Sequence, residues 1–83
     1  MRERGQETLL DLLKEVRADA GLKQAELARR LGVPQSFVSK YENGERRLDL
    51  LETRQVCHAV GVSLADFAER LEDALAEGET KSR

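Results

Sequence analysis

Tryptophan is absent from this 83-residue chain, and cysteine, histidine, proline, methionine and tyrosine each occur once. A lone Cys57 cannot close an internal disulfide, and with only His58 beside it the three or four ligands of a zinc site cannot be assembled. No metal or other cofactor is therefore expected. No apolar run approaches the roughly 18 residues of a membrane span, and no apolar leader core follows the charged start Met1, Arg2, Glu3, Arg4. A cytoplasmic protein without membrane contact is the expectation. A Ser-His-Asp set, a paired-carboxylate site and a phosphate-cradling loop are all missing, so an enzyme is not expected, and no small-molecule ligand is evident. Excess positive charge is missing too: 14 Lys and Arg stand against 16 Asp and Glu, for a net charge of -2 and a pI near 5.4. Nucleic-acid-binding domains usually lie on the basic side, so the whole-chain balance at first argues against such a partner.

What is present is enough apolar sequence to fold. Hydrophobic residues make up 40% and charged residues 36%. The length fits one domain over residues 1–83 rather than a catalytic unit joined to a regulatory one. Six glycines, at positions 5, 21, 32, 44, 61 and 78, divide the chain into five stretches of helical periodicity. Glycine accepts the left-handed backbone on which helices commonly end, so this spacing predicts five helices and an all-α fold.

In the first stretch Leu9, Leu13, Val16 and Ala20 recur at helical spacing and form the expected core stripe. The second, Gln24 to Leu31, sets Leu27, Ala28 and Leu31 on one side and Arg29 and Arg30 on the other. Pro34 disfavours helix at Val33 but suits the first turn of a new one. That third helix, Gln35 to Asn43, turns Val38 and Tyr41 inward and leaves Gln35, Ser36, Ser39 and Lys40 outward. The fourth, from about Asp49 to Ala59 or Val60, carries Thr53, Val56, Cys57 and Val60 on one stripe, with Asp49 and Glu52 spaced as a capping box. Cys57 reads as an inert core thiol and His58 as solvent-facing. The fifth opens with Ser63 and Asp66 at the same cap spacing and buries Leu64, Phe67, Leu71 and Leu75. A polar tail, frayed in expectation, follows Gly78.

Two short helices joined by a glycine turn, the second with a polar outer face, suit entry into a DNA major groove. Residues 22–44, LKQAELARRLGVPQSFVSKYENG, closely resemble the helix-turn-helix of the lambda-repressor-like, Cro-type family of bacterial and phage regulators. The likeness continues through ERRLD at 45–49 and GVSL at 61–64, covering roughly residues 9–68. It implies a five-helix lambda-repressor-like DNA-binding domain whose helix-turn-helix is formed by the second and third helices. Ala28 is small where the two helices cross, Gly32 takes the turn's backbone, and Val38 plugs the second motif helix onto the first.

The resemblance also implies roles in contacting double-stranded DNA. Gln24 is placed on backbone phosphate, with Lys23 adding charge, and Gln35, Ser36, Ser39 and Lys40 are placed on base edges. The chemistry suits this, because Gln pairs bidentately with adenine, Lys donates to guanine, and serine hydroxyls bond to bases or phosphate. Asn43, Arg46 and Arg47 are implied to hold the phosphate backbone. Phe37 has two readings, a contact with a thymine methyl or sugar edge and a partly buried packing residue. Arg17 and Glu42 are implied to form a largely buried ion pair between the first helix and the end of the third.

Three departures from the family pattern stand out. Lys23 replaces the usual Ser or Thr cap, which implies a frayed start to the second helix until a phosphate satisfies its amides. Pro34 replaces a common serine cap, and Thr53 stands where a larger aliphatic is more usual. The leading expectation is a sequence-specific transcriptional regulator, a repressor, that reads a palindromic operator as a homodimer. Its dimer surface is placed on the fifth helix at Ala68, Leu71, Ala74 and Leu75. The alternative is an antitoxin or other module that uses the same fold to bind a protein partner. Charge by region resolves the initial conflict: residues 1–22 sum to -1, residues 23–54 to +2 and residues 55–83 to -3. The motif is the one basic stretch, so weak non-specific DNA binding is expected.

Overall fold

A computed structural model describes residues 4–81, with side chains over 4–77. Five helices, α1 (Arg4–Asp19), α2 (Gln24–Leu31), α3 (Gln35–Glu42), α4 (Leu50–Ala59) and α5 (Leu64–Lys81), account for all of its regular structure. Gly5 and Gly78 lie inside helices rather than at their ends. An isolated helical glycine costs only about 1 kcal/mol relative to alanine, which neighbouring turns can absorb. The expected stop at Gly78 is thus not used.

Gly32 does act as a stop. Its φ of 73° closes α2 in the left-handed region, and its amide donates back to Arg29 while that of Val33 donates to Ala28. This turn swings the chain directly into α3, which begins after Pro34 at φ -65°, ψ 153°. Gly44 has a second reason for lacking a side chain: a Cβ there would lie 3.3 Å from Leu10 Cδ1 of α1, besides facing a φ of 83°.

The core is drawn from every helix. Leu13, Val16, Leu27, Ala28, Val38, Tyr41, Val56, Cys57 and Phe67 are all buried, joined by Leu12 and Val60 at the margin. Ala20, expected on the α1 stripe, is exposed because α1 ends at Asp19 and the chain has already turned there. Leu12 takes its share of the interior instead. α2 and α3 pack most extensively, with α1 against α3 and α5, and α4 against α2 and α5. Since Leu27 and Val38 are fully enclosed, Leu27→Ala is worth about 2 to 5 kcal/mol by the usual cost of a core cavity.

Thr53 is buried, as its place on the α4 stripe predicts, and its hydroxyl donates to the Asp49 carbonyl at 2.8 Å. Burial pushes the Cys57 thiol up, so it stays protonated and unreactive in the core. None of the described helices is long and apolar enough to cross a membrane.

Candidate nucleic-acid interface

α3 is held by its inner face and exposed on its outer one. Val38 and Tyr41 have no accessible surface, whereas Gln35, Ser36 and Lys40 are exposed and Ser39 is half-buried. The division follows from the helical period, since Val38 and Tyr41 are three residues apart and face α2 and α1. No side chain caps α3, because Pro34 has neither a hydroxyl nor a carboxylate. In the first turn the Phe37 amide donates to the Pro34 carbonyl at 3.0 Å.

α2 starts differently from the expectation. Lys23 gives no side-chain cap, but the Glu26 carboxylate reaches back to accept the Lys23 backbone N–H at 2.8 Å. Half of a capping box therefore supports this start in the absence of a bound phosphate. Lys23 itself is exposed.

Gln24 does something that sequence reasoning missed. Its Nε2 donates to Glu42 Oε1 at 3.0 Å, tying the start of α2 to the end of α3. Glu42 is 3% exposed and also accepts from Arg17, Nε to Oε2 at 2.7 Å and Nη2 to Oε1 at 3.0 Å. Arg17 spends a further donor, Nη1, on the Leu22 carbonyl at 2.9 Å. The Glu42 hydrogen bond holds the guanidinium above its already high ordinary value. The buried carboxylate is thereby satisfied from α1 and α2 together, and Gln24 keeps one amide hydrogen for an outside acceptor.

Phe37 is half-buried and meets Tyr41 edge-on, with ring centroids 5.9 Å apart at 76°. In the free chain Phe37 packs against the core, and the Arg46 guanidinium lies over its ring, with Cζ 4.4 Å from the centroid. Arg46 also grips Glu52 with two parallel hydrogen bonds, Nη1 to Oε1 at 3.2 Å and Nη2 to Oε2 at 2.9 Å. Glu52 completes the capping box of α4: its amide donates to Asp49 Oδ1 at 2.7 Å, and its Oε1 accepts the Asp49 N–H at 3.0 Å. Arg46 first, and then the Asp49 amide, hold the Glu52 carboxyl below the ordinary carboxylate range. Arg46 and Glu52 are six residues apart on different elements, so no periodicity in the sequence signals them.

Asn43 and Arg47 are exposed beside this group, and Asn43 Nδ2 lies 3.5 Å from Glu45 Oε2. Lys23, Gln24, the outer face of α3, Asn43, Arg46 and Arg47 are all borne by the start of α2, by α3 and by the loop that follows it. The arrangement offers amide, hydroxyl and ammonium groups from one short helix, flanked by cations from a turn and a loop. It is the architecture of a helix-turn-helix DNA-binding protein.

Comparison with known proteins narrows the class. Residues 13–71 match the family model for helix-turn-helix domains. An XRE-family like protein from Pseudomonas syringae pv. tomato str. DC3000 is 51% identical, over 83% of this chain and 84% of that one, with a TM-score of 0.79. The clp gene regulator ClgR from Corynebacterium glutamicum is 28% identical over 99% of this chain and 87% of its own, with a TM-score of 0.80. The restriction-modification controller protein C.Esp1396I, solved as a tetramer in complex with its natural 35 base-pair operator, shares the fold at 20% identity, with 90% and 99% covered and a TM-score of 0.81. A search of curated proteins gives no match. The chain belongs to the XRE family of lambda-repressor-like helix-turn-helix proteins, which are DNA-binding transcription regulators.

Proposed function

We propose that this protein is a repressor that reads a palindromic operator as a homodimer, inserting α3 into the major groove of each half-site. The observation that carries this reading is the asymmetry of α3: Val38 and Tyr41 are fully enclosed, while Gln35, Ser36 and Lys40 are exposed and free of acidic neighbours on the helix surface. Gln35 and Lys40 are assigned to base edges, with Ser36 and Ser39 on bases or flanking phosphate. Lys23, the second amide hydrogen of Gln24, Asn43, Arg46 and Arg47 are assigned to the backbone. Phe37 is assigned to holding Arg46 rather than to a base.

One module reads too few base pairs for selectivity, and paired modules read half-sites about 34 to 36 Å apart. The surface best suited to pairing is not the whole α5 stripe. Leu75 is half-buried and lies against α1, 3.7 Å from where a Gly5 side chain would begin. Ala68 and Leu71 instead line an apolar groove of about 260 Å³ with Leu9, Leu48, Leu50 and Leu64. Leu50 is 69% exposed and Leu51 73%, the two large apolar side chains most open to solvent among the described residues. We assign this α4–α5 face to a second copy of the chain. Through Leu48 it adjoins the loop that carries Arg46 and Arg47.

Selection of bound sites from random duplex DNA, followed by salt titration of affinity, tests the reading. Enrichment of a sequence with two-fold symmetry, and affinity that falls as salt rises, are expected. Enrichment of no sequence, together with salt-independent binding, would replace this reading with a module that binds a protein partner.

A further inference from the structure

The loop between α3 and α4 holds a cation that is already occupied. The Arg46 guanidinium sits over the Phe37 ring, Cζ 4.4 Å from its centroid, and its Nη1 and Nη2 edge is filled by the two oxygens of Glu52 at 3.2 and 2.9 Å. Phe37 in turn abuts the fully buried Tyr41, so the platform is anchored in the core. Glu52 is anchored as well, through the Asp49 N–H on Oε1. The pair is open to solvent on one side, at 39% and 27% side-chain exposure. Two coplanar anionic oxygens on that edge present the geometry of a backbone phosphate, which guanidinium also binds with two parallel hydrogen bonds.

We propose that Glu52 is an internal phosphate mimic: it holds Arg46 in its DNA-ready pose in the free protein, and DNA binds at this point by exchanging a backbone phosphate for the Glu52 carboxylate. The inference rests on the DNA-binding reading above and adds a regulatory element to it. Arg46 then adds little to random encounters, because each contact must first displace an ion pair. Where the remaining α3 and backbone contacts fix a phosphate over Phe37, the exchange occurs without reorganising the arginine. Glu52 thus acts as a positioning residue that lowers affinity while sharpening register, and Phe37 supplies the platform on which the exchange happens.

The test uses four full-length chains, wild type, Glu52→Gln, Arg46→Gln and the double variant, each bound to the selected operator duplex across a salt series. Glutamine keeps an oxygen for the Asp49 N–H, so the α4 start is retained, and circular dichroism verifies equal helix content. Glu52→Gln is expected to tighten binding by roughly two- to fivefold, the range of an exposed ion pair removed as competitor. Arg46→Gln is expected to weaken binding and to flatten the salt slope by about 0.9, the loss of one phosphate contact. The deciding comparison is Glu52→Gln in the Arg46→Gln background, where the gain should vanish. A gain of equal size there would mean that Glu52 acts only as a nearby negative charge, and the inference falls. Unchanged or weaker binding by Glu52→Gln alone also overturns it, while leaving the DNA-binding reading intact if wild type binds. Absence of binding by all four chains overturns that reading and the inference with it.

Discussion

Arg17 and Glu42, 25 residues apart in sequence, meet through two hydrogen bonds of 2.7 and 3.0 Å and lock the end of α1 to the end of α3. Glu42 is 3% exposed, so its charge is affordable only while Arg17 and Gln24 satisfy it. Removing Arg17 strands a buried carboxylate, and removing Glu42 strands a mostly buried guanidinium. Arg17→Ala and Glu42→Ala are each expected to lower unfolding free energy by about 3 to 5 kcal/mol. Chemical denaturation measures this, and a midpoint unchanged from wild type in either variant would refute the pair's structural role. Gln24→Ala should cost less, about 1 kcal/mol, because it removes one of three hydrogen bonds to a carboxylate that keeps its counter-charge.

The outer face of α3 divides into residues that should affect specificity and residues that should affect affinity alone. Gln35→Ala and Lys40→Ala are expected to cost about 1 to 3 kcal/mol each on the selected operator and to relax preference at one position of each half-site. Arg47→Ala is expected to weaken binding to all duplexes alike and to flatten the salt slope by about 1. Competition assays against single-position operator variants separate the two behaviours. If Lys40→Ala weakened all sequences uniformly, its contact would be phosphate.

The parts of this fold that were legible in the sequence are those governed by local rules. Gly32 and Pro34 mark the turn between α2 and α3 because each restricts the backbone in a known way, and the positions of Val38 and Tyr41 follow from the helical period. Asp49 and Glu52 were readable as a cap, and that cap is present. Ala20 misled because a stripe says which face is apolar and not where the helix stops. The linkages that join elements were out of reach of local reasoning. Arg46 meets Glu52 only because the loop folds back over Phe37, and Gln24 finds Glu42 only because α2 and α3 have docked. Leu51 did carry a signal: it lies opposite the Thr53, Val56, Cys57 and Val60 stripe, whereas Leu50, three before Thr53 and seven before Cys57, continues that stripe at the first position of α4 and is left open there.

The α4–α5 face yields a prediction about assembly. Leu50→Glu and Leu51→Glu replace side chains that are mostly exposed in the isolated chain, so thermal stability of the monomer should change little. In a pairing face Leu50→Glu would bury a charge in the groove beside Leu48 and Leu64. Sedimentation equilibrium is expected to show a dimer for wild type and a monomer for Leu50→Glu, with operator affinity falling at least tenfold as the two half-sites are read separately. Dimers of undiminished strength in both variants would move the interface elsewhere on the molecule.

Tyr41 gives the fold a defined alkaline limit. It is fully buried, its hydroxyl finds no hydrogen-bond partner among the described residues, and burial pushes the phenol well above the ordinary tyrosine range, with Glu42 adding to the shift. In the unfolded chain the phenol ionises near pH 10, as ordinary tyrosine does. Between that pH and the raised folded value, the folded protein keeps a proton that the unfolded chain releases. This contribution is therefore fully present below about pH 10 and is lost as pH rises above it, by about 1.4 kcal/mol per pH unit for the one proton. The relevant quantity is the difference between wild type and Tyr41→Phe, in which contributions common to both chains cancel. Phenylalanine keeps the ring against Phe37 and removes an unsatisfied buried hydroxyl, so the variant is expected to gain about 1 kcal/mol at neutral pH. Its advantage should widen steadily above pH 10. With one tyrosine and no tryptophan in the chain, tyrosinate absorbance reports this site alone. Absorbance should appear together with loss of helical circular dichroism; tyrosinate forming while the helices remain intact would show that Tyr41 is accessible to solvent in the folded state.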